Sequence, residues 1–264
     1  MTVGLEQIVA ATRRKLDETR RTTDMRGLER LAEQHSPRGF RRALAVRSQR
    51  GPAIIAELKK ASPSRGLIRA DFDARKLARE LERAGAAALS VLTDEEFFQG
   101  SLRNLREASA ATKLPCLRKD FVVDEFQLVE ARANSADAVL LIVAALSQDE
   151  LTALASRAGD LSLDVLCEVH NEAELQRALD AGCDLIGVNN RNLRTFDVDL
   201  NVSFSLAELM PANVLGVAES GIHTAADLAR LRAAGYRAFL IGESLMKAQS
   251  PGEMLQSLLV EARP

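Results

Sequence analysis

The sequence predicts an α/β fold in which eight parallel strands close into a barrel behind a helical N-terminal extension. Eight short apolar runs follow residue 52, and their apolar residues are continuous rather than alternating, as expected for strands covered on both faces. Amphipathic segments separate these runs; within 71–84, for example, apolar residues recur at helical spacing. Three such segments end in Ala-Gly, which forms a weak internal repeat. Eight strand–helix units in about 210 residues fit a (β/α)8 TIM barrel.

The eight runs define the predicted strands, which are Ala53–Leu58, Ala87–Leu92, Pro115–Arg118, Ala138–Val143, Leu163–Val169, Leu185–Val188, Val214–Ala218 and Ala238–Ile241. The first fifty residues instead show helical spacing, with predicted helices near 5–16, Met25–Gln34 and Arg38–Arg47. No linker or change of composition divides the chain, so we expect one domain over 1–264, of which 1–50 is the extension. The alternative is an open doubly wound sheet, but no G-x-G-x-x-G follows the first strand.

Composition excludes several classes of protein. Lysine plus arginine (35) nearly balances aspartate plus glutamate (37), so the chain is no polybasic nucleic-acid binder, although a local basic pocket stays possible. The three cysteines and three histidines are scattered without metal-site spacing, and the odd cysteine count suggests a reducing compartment. The N-terminus lacks a signal-peptide core, and the longest apolar run, Ala138–Leu146, is too short to span a bilayer. We therefore expect a cytoplasmic monomer or weak oligomer without a membrane or nucleic-acid partner, a metal or another cofactor.

Charged and polar residues stand where the predicted strands end, at the face where a barrel carries its active site. In AELKKASPSRG, for instance, Glu57 and Lys59 have the same side-chain parity, so both point to one side of the first strand. A surface ion pair is the simple alternative for this phrase alone, but the arrangement recurs at other strand ends. The charged and polar residues concerned are Glu57, Lys59, Lys119, Glu168, Asn189, Arg191, Glu219, Ser220, Glu243 and Ser244, and Phe121, Gly221 and Gly242 stand among them at the same strand ends.

This set of residues favours proton transfer as the chemistry of the site. Ionised groups crowded into a low-dielectric space shift each other's pKa values, and acid and base roles near neutral pH need such shifts. The alternative is that one or two pairs only fill the barrel, and for Glu219 the two interpretations are equally open. From parity we expect Glu57 to neighbour Lys119 as well as Lys59, and Glu168 to stand apart from that cluster.

The last two strand ends have the pattern of a phosphate cradle. Gly221 comes shortly before Thr224, which can cap a helix, and Gly242 precedes a predicted short helix that starts at Glu243. Glycine lets backbone N–H groups approach an anion, and helix N-termini favour negative charge. The loops after the seventh and eighth strands are also the usual phosphate site of barrel enzymes, so we expect a phosphorylated small-molecule substrate.

An apolar wall is predicted opposite the charged residues. Phe97, Phe98, Phe121 and Leu140 follow or lie within strands that end at the same face, and together they could hold a flat ring. Ordinary core packing is the alternative interpretation for one of the two adjacent phenylalanines.

Eight phrases in order carry a resemblance that covers nearly the whole predicted barrel. The chain resembles the indole-3-glycerol-phosphate synthase family of the tryptophan pathway, and the matching phrases are IIAELKKASPSRG, SVLTDEEFFQGS, LRKDFVVDEFQ, ADAVLLIV, EVHNEAEL, IGVNNRNLRTF, VAESGI and AFLIGESLM. The resemblance implies a barrel enzyme that converts 1-(2-carboxyphenylamino)-1-deoxyribulose 5-phosphate to indole-3-glycerol phosphate. Carbon dioxide and water are lost in that reaction, and no cofactor is needed.

The resemblance also implies roles for individual residues. Lys119 matches the general acid for ring closure, and Lys59 a substrate contact that can act as the acid in dehydration. Glu168 matches the general base, Glu57 a residue that orients the lysines, and Asn189 a residue that holds the reacting groups. Further matches are the substrate contacts Ser220, Arg191 and Ser62, and the phosphate-binding backbone positions Gly221, Gly242 and Glu243. An anionic side chain at Glu243 must then point away from the phosphate.

Two other functions compete with this one. Another phosphate-binding barrel enzyme is possible, but the pathway's isomerase would want cysteine and aspartate where Glu57 and Asn189 stand, and a metal-dependent epimerase would want inward-facing His and Asp ligands. The second competitor is a catalytically silent barrel that serves as a binding or scaffold subunit. Such a protein need not retain Lys59, Lys119 and Glu168 together.

Overall fold

The structure, a computed structural model, describes residues 4–262 and contains a closed barrel of eight parallel strands. The barrel strands are β1 (Ala53–Leu58), β4 (Ala88–Leu92), β5 (Cys116–Lys119), β6 (Ala138–Ile142), β7 (Asp164–Val169), β8 (Leu185–Asn189), β9 (Leu215–Glu219) and β10 (Ala238–Ile241). Each strand pairs with the next in this order, and β10 pairs with β1 to close the ring. The predicted (β/α)8 TIM barrel is therefore confirmed, and the open doubly wound sheet is excluded.

Helices alternate with these strands and also precede them. They are α1 (Leu5–Thr22), α2 (Met25–Gln34), α3 (Phe40–Ser48), α4 (Ala74–Ala84), α5 (Leu102–Ala111), α6 (Glu125–Ala133), α7 (Gln148–Asp160), α8 (Glu172–Asp180), α9 (Asn201–Ala207), α10 (Ala225–Ala233), α11 (Glu243–Lys247) and α12 (Pro251–Glu261). The first three form the predicted helical extension, with the third beginning at Phe40 rather than Arg38. No helix among residues 4–262 is long and apolar enough to cross a membrane.

Two apolar layers explain why these strands are apolar at nearly every position. Residues facing outward pack against the ring of helices, and residues facing inward fill the barrel interior together with Phe40 and Leu44 of α3. Both α3 side chains are fully buried against strand starts such as Ala53 and Ala238. Helix α3 therefore closes the barrel at the N-terminal ends of its strands. The opposite end, where the charged residues lie, stays open for a ligand.

A buried carboxylate attaches the extension to the barrel. Asp137, at the start of β6, has no exposed side-chain surface and accepts hydrogen bonds from the Arg38 side chain at 2.5 and 3.0 Å. It also accepts from the Cys116 N–H at 2.6 Å, and the His35 ring lies 3.2 Å away. These partners hold the pKa of Asp137 below its usual value even though burial acts in the opposite direction. The link between α2 and α3 is thereby fixed to the closed end of the barrel.

The loops at the open end include one element that the sequence pattern did not predict. Residues Ala61–Ser62 (β2) and Gly66–Leu67 (β3) pair as a small antiparallel hairpin after β1. On the far side, the Thr224 hydroxyl accepts a hydrogen bond from the Asp227 N–H at 3.1 Å and so caps α10 as predicted. Loops on both sides of the opening are thus ordered by local hydrogen bonds.

Candidate active site

A single cleft at the C-terminal ends of the barrel strands holds the candidate site residues. It encloses about 1230 Å³ of space free of atoms, counting its open mouth. The structure brings all fourteen proposed site residues to its walls, namely Glu57, Lys59, Ser62, Phe98, Lys119, Phe121, Leu140, Glu168, Asn189, Arg191, Ser220, Gly221, Gly242 and Glu243. The barrel rule accounts for this convergence, because the ends of the parallel strands and the loops that follow them meet at one face.

Glu57 and Lys59 form one ion pair on the β1 side of the cleft. The Lys59 ammonium donates to Glu57 Oε1 at 2.5 Å, and the Glu57 side chain is only 5% exposed. Gly242 follows β10 directly alongside Glu57, and a Cβ at that position would collide with the Glu57 carboxylate. Glycine at 242 therefore leaves the space in which Glu57 turns towards Lys59.

Lys119 forms a second ion-pair cluster at the centre of the cleft. Its ammonium donates to Glu168 Oε2 at 2.7 Å and to Glu219 Oε2 at 3.1 Å. Both carboxylates are nearly inaccessible, with side-chain exposures of 3% and 2%. Gly187 lies on β8 between β7 and β9, and a Cβ there would overlap the Glu219 carboxylate. Because residue 187 is glycine, the Glu219 carboxylate has the space that it needs to contact Lys119.

The charges of this cluster shift the pKa values of its members in different directions. Burial alone would lower the pKa of Lys119, but the charges of Glu168 and Glu219 raise it overall. Burial would raise the pKa of Glu168, but the charges of Lys119 and His170 lower it to about 2. Burial, together with the charge of Glu168, raises the pKa of Glu219 to about 7. The cluster therefore contains an ammonium, an ionised carboxylate and a carboxyl group that can exchange a proton near neutral pH.

This pairing corrects one prediction from parity. Glu168 does not stand apart, because it is the partner of Lys119, and the ion-pair partner of Glu57 is Lys59. The charge of Glu57 still contributes to the raised pKa of Lys119, but it does so after those of Glu168 and Glu219. Parity gave the correct side of each strand, whereas the partner across the barrel depends on how the ring closes.

The apolar wall lies beside these charges. The rings of Phe98 and Phe121 are 6.3 Å apart and inclined at 38°, and Leu140 lies with them in the cleft. Phe97, which we also considered for this wall, instead lines a separate pocket under α1. Leu5 and Ile8 of α1 reach the cleft as well. A flat aromatic ring can therefore lie against apolar side chains while its substituents face the lysines.

The loops after β9 and β10 form the end of the cleft expected to hold phosphate. Ser220 and Gly221 both have positive φ, 66° and 76°, a backbone conformation that costs energy for serine and that strained functional turns often contain. A Cβ at Gly221 would lie 2.5 Å from a Val198 methyl, so the loop needs glycine there. The Ser244 hydroxyl is buried at this end and has no hydrogen-bond partner among the described residues. The Ser244 hydroxyl therefore gives this end of the cleft unused polar capacity for an oxygen-rich group.

Glu243 places an anionic side chain at this end of the cleft, and three cations surround it. Its carboxylate lies 2.6 Å from Lys247, 3.1 Å from Arg65 and 3.6 Å from Arg191. Burial would raise the pKa of Glu243, but the hydrogen bond and charge of Lys247, then the charge of Arg65, lower it overall. The Glu243 carboxylate thus forms ion pairs with Arg65, on the loop after β1, and with Arg191, on the loop after β8. Without that carboxylate, both arginines could contact a bound anion.

Sequence reasoning leaves the role of Glu219 open and misses His170. The position of Glu219 beside Lys119 follows only from closure of the ring of strands. His170 is one of three scattered histidines in the sequence, yet its Nε2 lies 3.5 Å from Glu168 Oε1. A parity test would have found it, because His170 stands two positions after Glu168, as Lys59 stands two after Glu57. Within residues 4–262, no group of three or more His, Cys, Asp or Glu side chains is arranged to bind a metal ion.

Comparison with known proteins agrees with this geometry. A family model described as indole-3-glycerol phosphate synthase matches residues 5–258. The chain belongs to the indole-3-glycerol phosphate synthase family. The family relative from Koribacter versatilis is 58% identical over 259 residues, which cover 98% of this chain and all of the relative. The relative from Burkholderia vietnamiensis is 46% identical over 252 residues, covering 95% of this chain and 97% of its own.

Two solved structures with low sequence identity to this chain are similar to it in fold alone. KGPDC from Streptococcus mutans aligns with a TM-score of 0.60 at 14% identity, over 80% of this chain and 97% of that one. Thiamine phosphate pyrophosphorylase from Pyrococcus furiosus aligns with the same TM-score at 16% identity, over 82% of this chain and 97% of that one. At such identities the likeness supports the barrel architecture, while the family assignment rests on the closer relatives.

Proposed function

We propose that this chain catalyses the reaction of its family, the conversion of 1-(2-carboxyphenylamino)-1-deoxyribulose 5-phosphate to indole-3-glycerol phosphate. The observation that carries the proposal is the Lys119 ammonium, which projects into the cleft between two buried carboxylates and faces an apolar wall. A reaction that closes a ring, loses carbon dioxide and then loses water needs acids and a base in one dry cavity, and it needs no redox group.

Ring closure is the step assigned to Lys119. The substrate carbon that bears the carboxylate attacks the ketone carbon, and the ketone oxygen becomes an alkoxide that takes a proton from the Lys119 ammonium. The carbon–carboxylate bond then breaks, and its electron pair restores the aromatic ring as carbon dioxide leaves. Glu168 and Glu219 hold the ammonium in place through hydrogen bonds of 2.7 and 3.1 Å. Such positioned acids contribute about 10²–10⁴-fold to rate.

Dehydration is the step assigned to Lys59 and Glu168. The hydroxyl made by ring closure leaves as water with a proton from Lys59, while Glu168 removes a proton from the adjacent ring carbon so that the new double bond forms. Glu57 orients Lys59 through the 2.5 Å ion pair. Asn189, on the strand next to Glu168, accepts a hydrogen bond from the Arg191 N–H at 3.0 Å and can hold the reacting groups.

The remaining site residues are proposed to contact different parts of the substrate. Phe98, Phe121 and Leu140 would pack against the aromatic ring, and Ser62 lies on the β2 side of the cleft where the carboxylate would sit. Ser220, Arg191 and the backbone N–H groups at Gly221, Gly242 and Glu243 would contact the sugar-phosphate end. Helix N-termini and glycine loops are suited to that role because their N–H groups can converge on an anion.

We also propose that the chain is one domain that acts in the cytoplasm as a monomer or weak oligomer without a nucleic-acid or membrane partner. Nearly equal numbers of acidic and basic residues support this proposal, as do three buried free cysteines and the buried contact of Asp137 with Arg38. Light scattering of the purified protein across a concentration series tests the oligomeric state.

A direct assay tests the activity. The purified chain is mixed with the substrate, and formation of indole-3-glycerol phosphate is followed by indole fluorescence and identified by mass spectrometry. The chain has no tryptophan, so the protein background is low. Product with loss of one carbon dioxide and one water supports the proposal. Absence of turnover by a folded sample would contradict it and favour a silent barrel, and isomerisation of a phosphoribosyl anthranilate instead would point to the pathway's isomerase.

A further inference from the structure

His170 has no part in the reaction scheme above, although it contacts one of its residues. It follows β7 two positions after Glu168, so both side chains lie on the same side of the strand. The His170 side chain is 13% exposed and lies outside the set of described residues that line the cleft. Any influence of His170 on the substrate therefore passes through a neighbouring residue, and the nearest candidate is Glu168.

The two ring nitrogens of His170 face two different carboxylates. Nδ1 lies 3.0 Å from Glu174 Oε2, and Nε2 lies 3.5 Å from Glu168 Oε1. Nε2 is buried and has no hydrogen-bond partner among the described residues. A nitrogen that faces a carboxylate oxygen is favoured in its protonated form, and a ring protonated on both nitrogens is a cation. The geometry is that of an imidazolium between two carboxylates.

Glu174 is held firmly enough to fix the ring. It is the third residue of α8, and its carboxylate accepts hydrogen bonds from the His170 backbone N–H at 2.8 Å and from the Asn171 side chain at 2.7 Å. The Asn171 side chain in turn caps α8 by accepting from the Glu174 N–H at 3.0 Å. The carboxylate cannot move away from Nδ1 without breaking these bonds, so the orientation of the ring is set by the start of a helix.

The charges around His170 favour its cationic form. Burial acts against that form, but the hydrogen bond to Glu174 and the charge of Glu168 raise the pKa of His170 overall. The charged groups that face it are Glu168 on its own strand, Glu174 on α8 and Glu219 on β9, while Lys119 on β5 binds the other oxygen of Glu168. Without His170, the centre of the cleft holds three carboxylates against the two ammonium groups of Lys59 and Lys119.

We propose that His170, held by Glu174, is a positioning residue that fixes the Glu168 carboxylate and keeps it ionised for proton transfer. The proposal rests on the proposed function in so far as Glu168 is the general base. Lys119 holds one oxygen of Glu168 and His170 faces the other, so the carboxylate is fixed between two cations on its two sides. When Lys119 gives its proton to the substrate, His170 remains as the cation that keeps Glu168 ionised until dehydration.

A pH profile tests this role. The values of kcat and KM are measured from about pH 5 to 8 for the wild type, His170→Gln, Glu174→Gln and the double variant. Removing a cation 3.5 Å from Glu168 makes protonation of the coupled Glu168–Glu219 pair easier. We expect His170→Gln to move upward by about one pH unit the acidic limb of kcat that the coupled pair sets through the Glu219 pKa of about 7, a loss of about tenfold at the acidic end, with KM little changed.

The other variants separate positioning from structure. Glu174→Gln should move the limb in the same direction by less, because it weakens the cationic form of His170. The double variant should have the same acidic limb as His170→Gln, because Glu174 affects that limb only through the His170 ring. Glu172→Gln, an exposed change on the same helix, should match the wild type. The proposal would be overturned if folded His170→Gln kept the acidic limb and the kcat of the wild type. It would also be overturned if the losses of kcat among the variants only followed their losses of melting temperature.

A second measurement does not depend on turnover. The pKa values of His170 and Glu168 are measured by NMR in the wild type and in the same variants. We expect the pKa of Glu168 to rise in His170→Gln and that of His170 to fall in Glu174→Gln. If the wild type shows no turnover, the proposed function fails, and the NMR titration still decides the coupling. An unchanged pKa of Glu168 in His170→Gln would overturn this inference even if the enzyme is active.

Discussion

The Lys119 ammonium reaches across the barrel interior to bond Glu168 Oε2 at 2.7 Å. The two residues lie on β5 and β7, which are separated by β6, so the contact crosses the lumen rather than joining neighbouring strands. It places the proposed acid of ring closure and the proposed base of dehydration in one ion pair. A change at either residue is therefore expected to disturb both steps, which none of the individual motifs would suggest.

Replacing Lys119 by methionine should lower turnover by at least about 100-fold, because the proposed acid is lost while most of the side-chain volume is kept. The change also leaves Glu219 buried without its cation, so its folded-state pKa, which burial already raises, moves further above the unfolded value. Such groups favour the folded state at low pH and lose that contribution as pH rises through the folded pKa. Urea unfolding should therefore show a larger loss of stability near pH 8 than near pH 5, and turnover close to that of the wild type would contradict the role.

Glu57→Gln and Glu168→Gln should slow different steps. Glu57 contacts Lys59, so its loss should slow dehydration and accumulate the decarboxylated, still hydroxylated intermediate. Glu168 contacts Lys119, so its loss should slow ring closure as well as dehydration, with less of that intermediate. Quenched-flow analysis measures the intermediate in each variant. Identical accumulation in both would show that the two ion pairs do not act separately.

Glu219→Gln should remove a titration near pH 7. Burial raises the pKa of this carboxyl to about 7, well above its unfolded value. The wild type is therefore expected to lose stability as pH rises from the unfolded pKa towards 7, because the native state must then accept a buried charge. The variant lacks this loss, so its stability relative to the wild type should increase from pH 5 to pH 8 in urea titrations. A constant difference would show that Glu219 stays ionised throughout.

Gly242→Ala should impair activity through Glu57. The added Cβ would overlap the Glu57 carboxylate and lie 2.9 Å from the Glu57 Cβ, so Glu57 must turn away from Lys59. We expect kcat to fall by about tenfold or more, since an acid that loses its orientation loses much of its 10²–10⁴-fold contribution. Gly159→Ala is a matched control, because a Cβ at that helical position meets nothing within 4 Å. Wild-type kcat in Gly242→Ala would contradict the proposed role of Glu57.

Glu243→Gln should strengthen the binding of inorganic phosphate. The change removes a negative charge beside the proposed phosphate site and frees Arg65 and Arg191 from an anionic partner. We expect phosphate to inhibit competitively, with an inhibition constant lower in the variant than in the wild type. Sulfate soaked into crystals should lie between the Gly221 and Gly242 loops. Weaker inhibition in the variant would indicate that Glu243 organises the arginines for the anion rather than competing with it.

Most of the fold could be predicted from local patterns. Continuous apolar runs identified the eight strands to within one residue at each end, and helical spacing identified Met25–Gln34 at its observed bounds. The β2–β3 hairpin was not predicted, because its four residues include serine and glycine and carry no apolar alternation. The candidate residues at the strand ends were placed at one face by parity and by the barrel rule, which depend only on strand geometry, whereas Ser62 was added by the family resemblance.

The sequence by itself determined that the charged side chains at the strand ends face one cleft, because parity and strand direction are properties of each strand alone. Only the tertiary structure decided which charges meet there. Closure of the ring brings Lys119 to Glu168 and Glu219, leaves Glu57 with Lys59, and sets His170 between Glu168 and Glu174. Those pairings depend on distances across the lumen and on the space left by Gly187 and Gly242. Side-chain alternation along a strand carries no information about such distances, so the division of labour among the carboxylates followed from the closed barrel.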